Sequence, residues 1–145
     1  MKVVAENRRA RFDYELLESI EAGIMLTGQE VKSCRAGQVN LSGAYVSFLG
    51  GKPMIKHMKI SAYKQAGPLP DYNPERDRQL LLKKSELAKL QRSTEEKGMS
   101  LIPLEVKAGK YIKVTIALAR GRKSIDKRQA IKEKEVSRRL REGRE

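Results

Sequence analysis

Few residues in this chain have the types and spacing that catalysis needs. His57 is the sole histidine and lies between Lys56 and Lys59, with no nearby carboxylate or nucleophile to complete an acid–base pair. It reads as an ordinary strand histidine. Cys34 is the sole cysteine, falls on the apolar side of a candidate helix, and reads as a small core residue. Glu15, Glu18 and Glu21 are evenly spaced, but on a strand they do not share one face, and no Cys/His cluster stands near them to hold a metal. Gly50-Gly51-Lys52 lacks the rest of a phosphate-binding loop. The residues therefore predict no enzyme, no cofactor and no metal.

Binding chemistry has more support. Arg8, Arg9 and Arg11 are followed by Phe12 and Tyr14. Guanidinium groups neutralise phosphates, and an aromatic among them offers a surface on which a base can stack. The whole chain of 145 residues carries a net +13 and a pI near 10.0. Residues 120–145 hold +6 of that charge, which leaves +7 on residues 1–119. Both parts are basic, and the balance points to a polyanion, with nucleic acid ahead of an anionic membrane because no amphipathic Trp/Phe-bearing helix is visible. One cysteine allows no internal disulfide, which fits a reducing cytoplasm. No apolar run nears the ~18 residues of a membrane span, and the N-terminus lacks a signal-peptide core.

The elements that would position these groups can be read from periodicity. Tyr14 to Leu26 is strand-like, with Gly23 marking a bulge or a close approach. Thr27 and Glu30 have the spacing of a capping box, so a short helix follows and ends at Gly37. Lys32 and Arg35 face outward from it. Residues 44–49 and 52–60 flank Gly50-Gly51 as a hairpin. Residues 61–79 read as a long loop, Leu80 to Leu82 as a buried anchor, and Ser85 as the cap of a helix that runs to about Lys97. Strands at 101–106 and 111–118 close the body, with Pro103 at an edge or bulge. The class is mainly β with short helices: a small closed or partly open antiparallel barrel over residues 1–119. Residues 120–145 have too few apolar side chains to fold alone and read as a basic arm.

Five motifs, in order along the chain, resemble the SsrA-binding protein family, SmpB. They are NRRARFDY (7–14), EAGIMLTGQEVKSCRAG (21–37), NLSGAY (40–45), NPERDRQLLL (73–82) and ARGRKSIDKR (119–128). The resemblance implies an OB-like antiparallel β-barrel and a C-terminal tail that is disordered when free and helical on the ribosome. It implies a cytoplasmic, monomeric, non-enzymatic protein of bacterial trans-translation. Such a protein binds transfer-messenger RNA (tmRNA) and delivers it to stalled ribosomes, where the tail probes the decoding centre and the empty messenger channel. By motif, it implies that Asn7, Arg8, Arg9, Glu21, Lys32, Arg35 and Leu81 bind tmRNA and that Asp126, Lys127 and Arg128 act in the ribosome. The chain departs from the family's usual residues at Gln29, Cys34, Lys83 and Ile125. A generic basic RNA-binding or ribosome-associated protein is the alternative that composition alone leaves open.

Overall fold

The computed structural model describes residues 2–63 and 71–121. In chain order these form β1 (Lys2–Glu6), a single helical turn α1 (Ala10–Asp13), β2 (Tyr14–Ile24), α2 (Gly28–Arg35), β3 (Val39–Asn40), β4 (Tyr45–Leu49), β5 (Lys52–Lys56), β6 (Lys59–Ile60), β7 (Arg78–Leu81), α3 (Lys84–Thr94), β8 (Met99–Ala108) and β9 (Ile112–Gly121). Seven strands make one antiparallel sheet in the order β1-β8-β4-β5-β7-β2-β9, and β8 also pairs with β9. The chain is therefore mainly antiparallel β, with short helices. None of its described helices is long and apolar enough to cross a membrane.

Alternation builds the core. On β9, Ile112, Val114, Ile116 and Leu118 point inward and meet Ala22, Leu80, Leu101 and Val106 in one buried cluster. Cys34 is fully buried in the same cluster, as its place on the helix predicts. The hairpin forms where expected, and Gly50 and Gly51 have φ of 58° and 79°, the left-handed conformation that a two-residue hairpin turn requires. Pro103 sits at a register shift between β8 and β9, so its missing N–H falls where the ladder is already interrupted.

Several elements depart from the sequence reading. Residues 1–14, read as a polar basic segment, supply β1, which pairs with the second half of β8, and α1. Ala10 of α1 packs with Ile102 and Ala119, which is why Ala119 is buried although it alternates with the inward face of β9. The long loop is shorter than it reads, because β7 begins at Arg78, a fully buried arginine that composition assigns to solvent. Lys83 rather than Ser85 holds the N-cap position of α3; its N–H donates to the Glu86 carboxylate at 3.1 Å, and the helix stops at Thr94. His57 is not in a strand. It lies between β5 and β6 at φ 61°, a conformation non-glycine residues rarely adopt. Arg120 and Gly121, grouped with the tail on charge, extend β9 and pair with Met99 and Tyr14.

Candidate nucleic-acid interface

The outward residues of β7, β2, β9 and β8 form a row. Leu81 is the cross-strand partner of Gly23, Gly23 of Lys113, and Lys113 of Lys107. Partners in an antiparallel ladder share a face. The next row inward on the sequence, Ala22, Val114 and Val106, is buried, so this row points out. Two residues along β2, Glu21 aligns with Thr115 and Glu105 on the same outer face. Lys107 Nζ lies 3.5 Å from both the Glu21 and the Glu105 carboxylates. Lys113 forms no ion pair with any described residue, which leaves its ammonium available to a ligand. Gly23 makes room for its cross-strand neighbour: a Cβ there would stand 3.3 Å from Leu81 Cβ and 3.5 Å from Leu81 Cδ1. Leu81 itself is 52% exposed, so the composition-based anchor holds at Leu80 but not at Leu81.

Helix α2 borders this face. Its capping box forms as the Thr27/Glu30 spacing requires: Glu30 N–H donates to Thr27 Oγ1 at 3.2 Å, and Thr27 N–H to Glu30 Oε1 at 3.0 Å. Lys32 and Arg35 are exposed on its outer side. Arg35 Nη2 donates to the Lys110 carbonyl (3.3 Å) at the tip of the β8–β9 hairpin, which ties the helix to the strand face. Next to that contact, Tyr111 is 65% exposed with Lys110 Nζ 5.7 Å from its ring centre. Lys32 Nζ lies 5.7 Å from the Tyr63 ring centre. The result is one surface of cations and exposed apolar groups.

Glu30 does more than cap. It is buried and is gripped by Arg78, also buried, and by Arg76. Arg78 Nε donates to Glu30 Oε2 at 2.7 Å, and its other nitrogens donate to the carbonyls of Met58 (2.7 Å), Pro74 (3.0 Å) and Arg76 (3.1 Å). The Tyr72 hydroxyl donates to the Ile60 carbonyl at 2.7 Å and accepts from Arg78 Nη2 at 3.2 Å. Burial pushes the Glu30 carboxyl up, but hydrogen bonds from Arg76, the Thr27 N–H and Arg78, together with the Arg78 charge, outweigh it and hold the pKa at about 2. Burial pushes the Cys34 thiol up to about 12, which leaves it without nucleophilic character. Burial also raises Tyr72.

The SmpB protein family model matches residues 4–144. The chain belongs to the SmpB family. It is 47% identical over 140 residues to the SsrA-binding protein of Prochlorococcus marinus subsp. pastoris, covering 96% of this chain and 80% of that one. It is 43% identical over 141 residues to the SsrA-binding protein of a Synechococcus strain, covering 97% and 92%. A solved chain, from work described as "tmRNA-SmpB: a journey to the center of the bacterial ribosome", superposes with a TM-score of 0.72 at 43% identity, covering 90% of this chain and 95% of its own.

Among the residues that the SmpB resemblance singles out, Glu21, Lys32, Arg35 and Leu81 fall on or beside the surface just described. Asn7, Arg8 and Arg9 follow β1 at the middle of β8. Asn7 Nδ2 donates to the Pro103 carbonyl at 3.0 Å, and its backbone N–H to Leu104 at 2.7 Å, so it locks the exit from β1. Arg8 is exposed beside Val3 to Glu6. Arg9 lies 4.9 Å from the Phe12 ring centre and 3.6 Å from Asp13, and borders a cleft of about 540 Å³ between α1, β4 and the start of β8. β4 meets β8 only at Val46↔Leu101, which is why the cleft opens there. Hydroxyls and apolar groups dominate its lining, and no group of three His, Cys, Asp or Glu that could hold a metal occurs among the described residues. Asp126, Lys127 and Arg128 of this SmpB chain lie outside the described residues.

Sequence reasoning missed Lys107, Lys110, Tyr111 and Lys113, although Lys113 alternates outward on the clearest strand and Lys110-Tyr111 is a basic–aromatic pair at a turn. It also read Arg76 and Arg78 only as loop cations.

Proposed function

We propose that the body of this SmpB-family protein binds tmRNA and that residues 122–145 act in the ribosome. Support for the first part is one observation: Glu21, Lys32, Arg35 and Leu81, from β2, α2 and β7, lie along one outward surface together with Lys113, which forms no ion pair among the described residues, and the exposed Tyr111. Lys32, Arg35 and Lys113 would neutralise phosphates. Tyr111 and Leu81 offer apolar faces to unstacked bases and sugars, which is how proteins recognise non-helical RNA. Glu21 holds Lys107 and keeps carboxylate lone pairs for base amino groups. Asn7, Arg8 and Arg9 extend the contact across β8. The strand pairing, which returns from β9 to β8, supports the reading as an OB-like barrel, and nucleic-acid binding on one face is a common use of that architecture. The protein works in the cytoplasm, where tmRNA and ribosomes are.

The test is tmRNA affinity as a function of salt, with ordinary transfer RNA as competitor. Phosphate contacts release counterions, so affinity is expected to fall linearly on a log–log plot and to drop by at least ~100-fold between 50 and 200 mM salt. Preference for tmRNA is expected at every salt concentration. A flat dependence would remove the phosphate contacts from the proposal. Equal affinity for the two RNAs would favour a generic RNA-binding role.

A further inference from the structure

We infer that Glu30, Arg78, Tyr72 and Arg76 form a positioning clasp that sets the angle at which α2 presents Lys32 and Arg35 to RNA. The inference rests on the reading of α2 as an RNA-binding element.

Helix α2 has eight residues, too few to be stable alone, so its place must come from packing. Its apolar anchorage is small. Cys34 is buried and Val31 half-buried, and the other buried residues are Ser33 and Glu30. Two modest apolar side chains leave a helix free to roll about its own axis, because apolar contact is not directional. The clasp supplies direction. The Glu30 carboxylate sits in the first turn and meets two arginines, whose planar guanidinium groups accept only a narrow range of carboxylate positions. Arg78 is in turn fixed by three backbone carbonyls and by Tyr72, so its guanidinium has no open donor direction in which to turn. Lys32 and Arg35 lie two and five residues beyond Glu30 on the same rigid helix. Any rotation at Glu30 therefore carries them with it. Arg35's bond to the Lys110 carbonyl is the second fixed point.

A purely structural network would affect folding and nothing else. A positioning network changes how many phosphates the folded protein neutralises. The double variant Glu30→Met/Arg78→Met separates the two. It removes one charge of each sign, so the net +13 is unchanged, and it replaces a buried pair with apolar groups of similar length, a change that buried ion pairs often tolerate. Expected results are cooperative unfolding, amide exchange about tenfold faster within α2 than in the wild type, with β2 and β9 unaltered, and tmRNA affinity about tenfold lower. The salt slope is expected to be shallower by about 1.5, the equivalent of two lost phosphate contacts.

Lys32→Ala/Arg35→Ala with the clasp intact is the control. If that variant binds tmRNA as the wild type does, the assignment of α2 to RNA fails and the inference with it. If it weakens binding while Glu30→Met/Arg78→Met keeps wild-type affinity and slope, the clasp alone is overturned. Should the methionine variant not fold, Tyr72→Phe/Arg76→Lys keeps every charge and the buried Glu30–Arg78 pair. It is expected to lose about threefold in affinity with faster exchange in α2, and wild-type values for both would overturn the clasp.

Discussion

Arg78→Met on its own is expected to lower the unfolding free energy by about 3–5 kcal/mol at neutral pH, the usual cost of breaking a buried pair by removing one partner. Glu30 would remain buried with Arg76, which reaches it from the rim of the site, as its one cation among the described residues, and the carbonyls of Met58 and Arg76 would lose the Arg78 donor. A domain of this size has about 5–15 kcal/mol in total, so the loss is a large fraction of the whole. Urea denaturation measures it, and a loss under about 1 kcal/mol would show the network to be dispensable. The effect has a defined pH dependence. The folded-state pKa of Glu30, about 2, lies below its ordinary 4.5. The stabilisation is therefore complete above about 4.5 and is lost as pH falls from there through 2. The gap between wild type and Arg78→Met is expected to be widest near neutral pH and to narrow in acid, because Glu30 of the variant, still buried but without Arg78, takes up its proton at a higher pH than the about 2 of the wild type.

Ending the chain after Gly121 is expected to leave tmRNA affinity within about threefold of the full protein while abolishing tagging on stalled ribosomes. The cut belongs at Gly121 because β9 runs that far: Arg120 is paired on both sides, with Glu15 and Met99, and Gly121 pairs with Tyr14. The segment removed contains Asp126, Lys127 and Arg128 and little apolar surface. The role proposed for this segment in the ribosome calls for charge and length, and the segment has both. Binding measured with purified tmRNA and tagging measured in a reconstituted translation system separate the two activities. A tenfold or greater fall in tmRNA affinity would mean that the arm shares in holding the RNA.

Local signals in the sequence carried far. The Thr27/Glu30 spacing marked α2 to the residue, Gly50-Gly51 marked the hairpin, and alternation marked β9, because each depends on neighbours in the chain. What was hidden depends on partners distant in sequence. Lys2 to Glu6 does not alternate clearly and becomes a strand because β8 has an unpaired edge beyond Pro103. Arg78 looks like a surface cation until Glu30, 48 residues earlier, is seen to meet it. Leu81 looks like core, yet strand alternation after the buried Leu80 turns it outward. The same holds for the binding surface: its motifs were legible singly, but the row from Leu81 to Lys107 exists only once four strands are in register.

The pairing of β2 with β9, from Tyr14↔Gly121 to Gly23↔Lys113, joins the two ends of the body. β1 likewise waits for β8, as Lys2↔Ala108 shows. No stretch of nascent chain that stops short of residue 121 holds a complete set of strands, so folding during synthesis cannot proceed piece by piece from the N-terminus. The contacts are mostly between residues far apart in the chain, which places the protein among slow folders on the millisecond-to-second scale. Until its last strand emerges, the chain is a cationic polymer with open strand edges. The net +7 on residues 1–119 is then a charge that opposes association between copies.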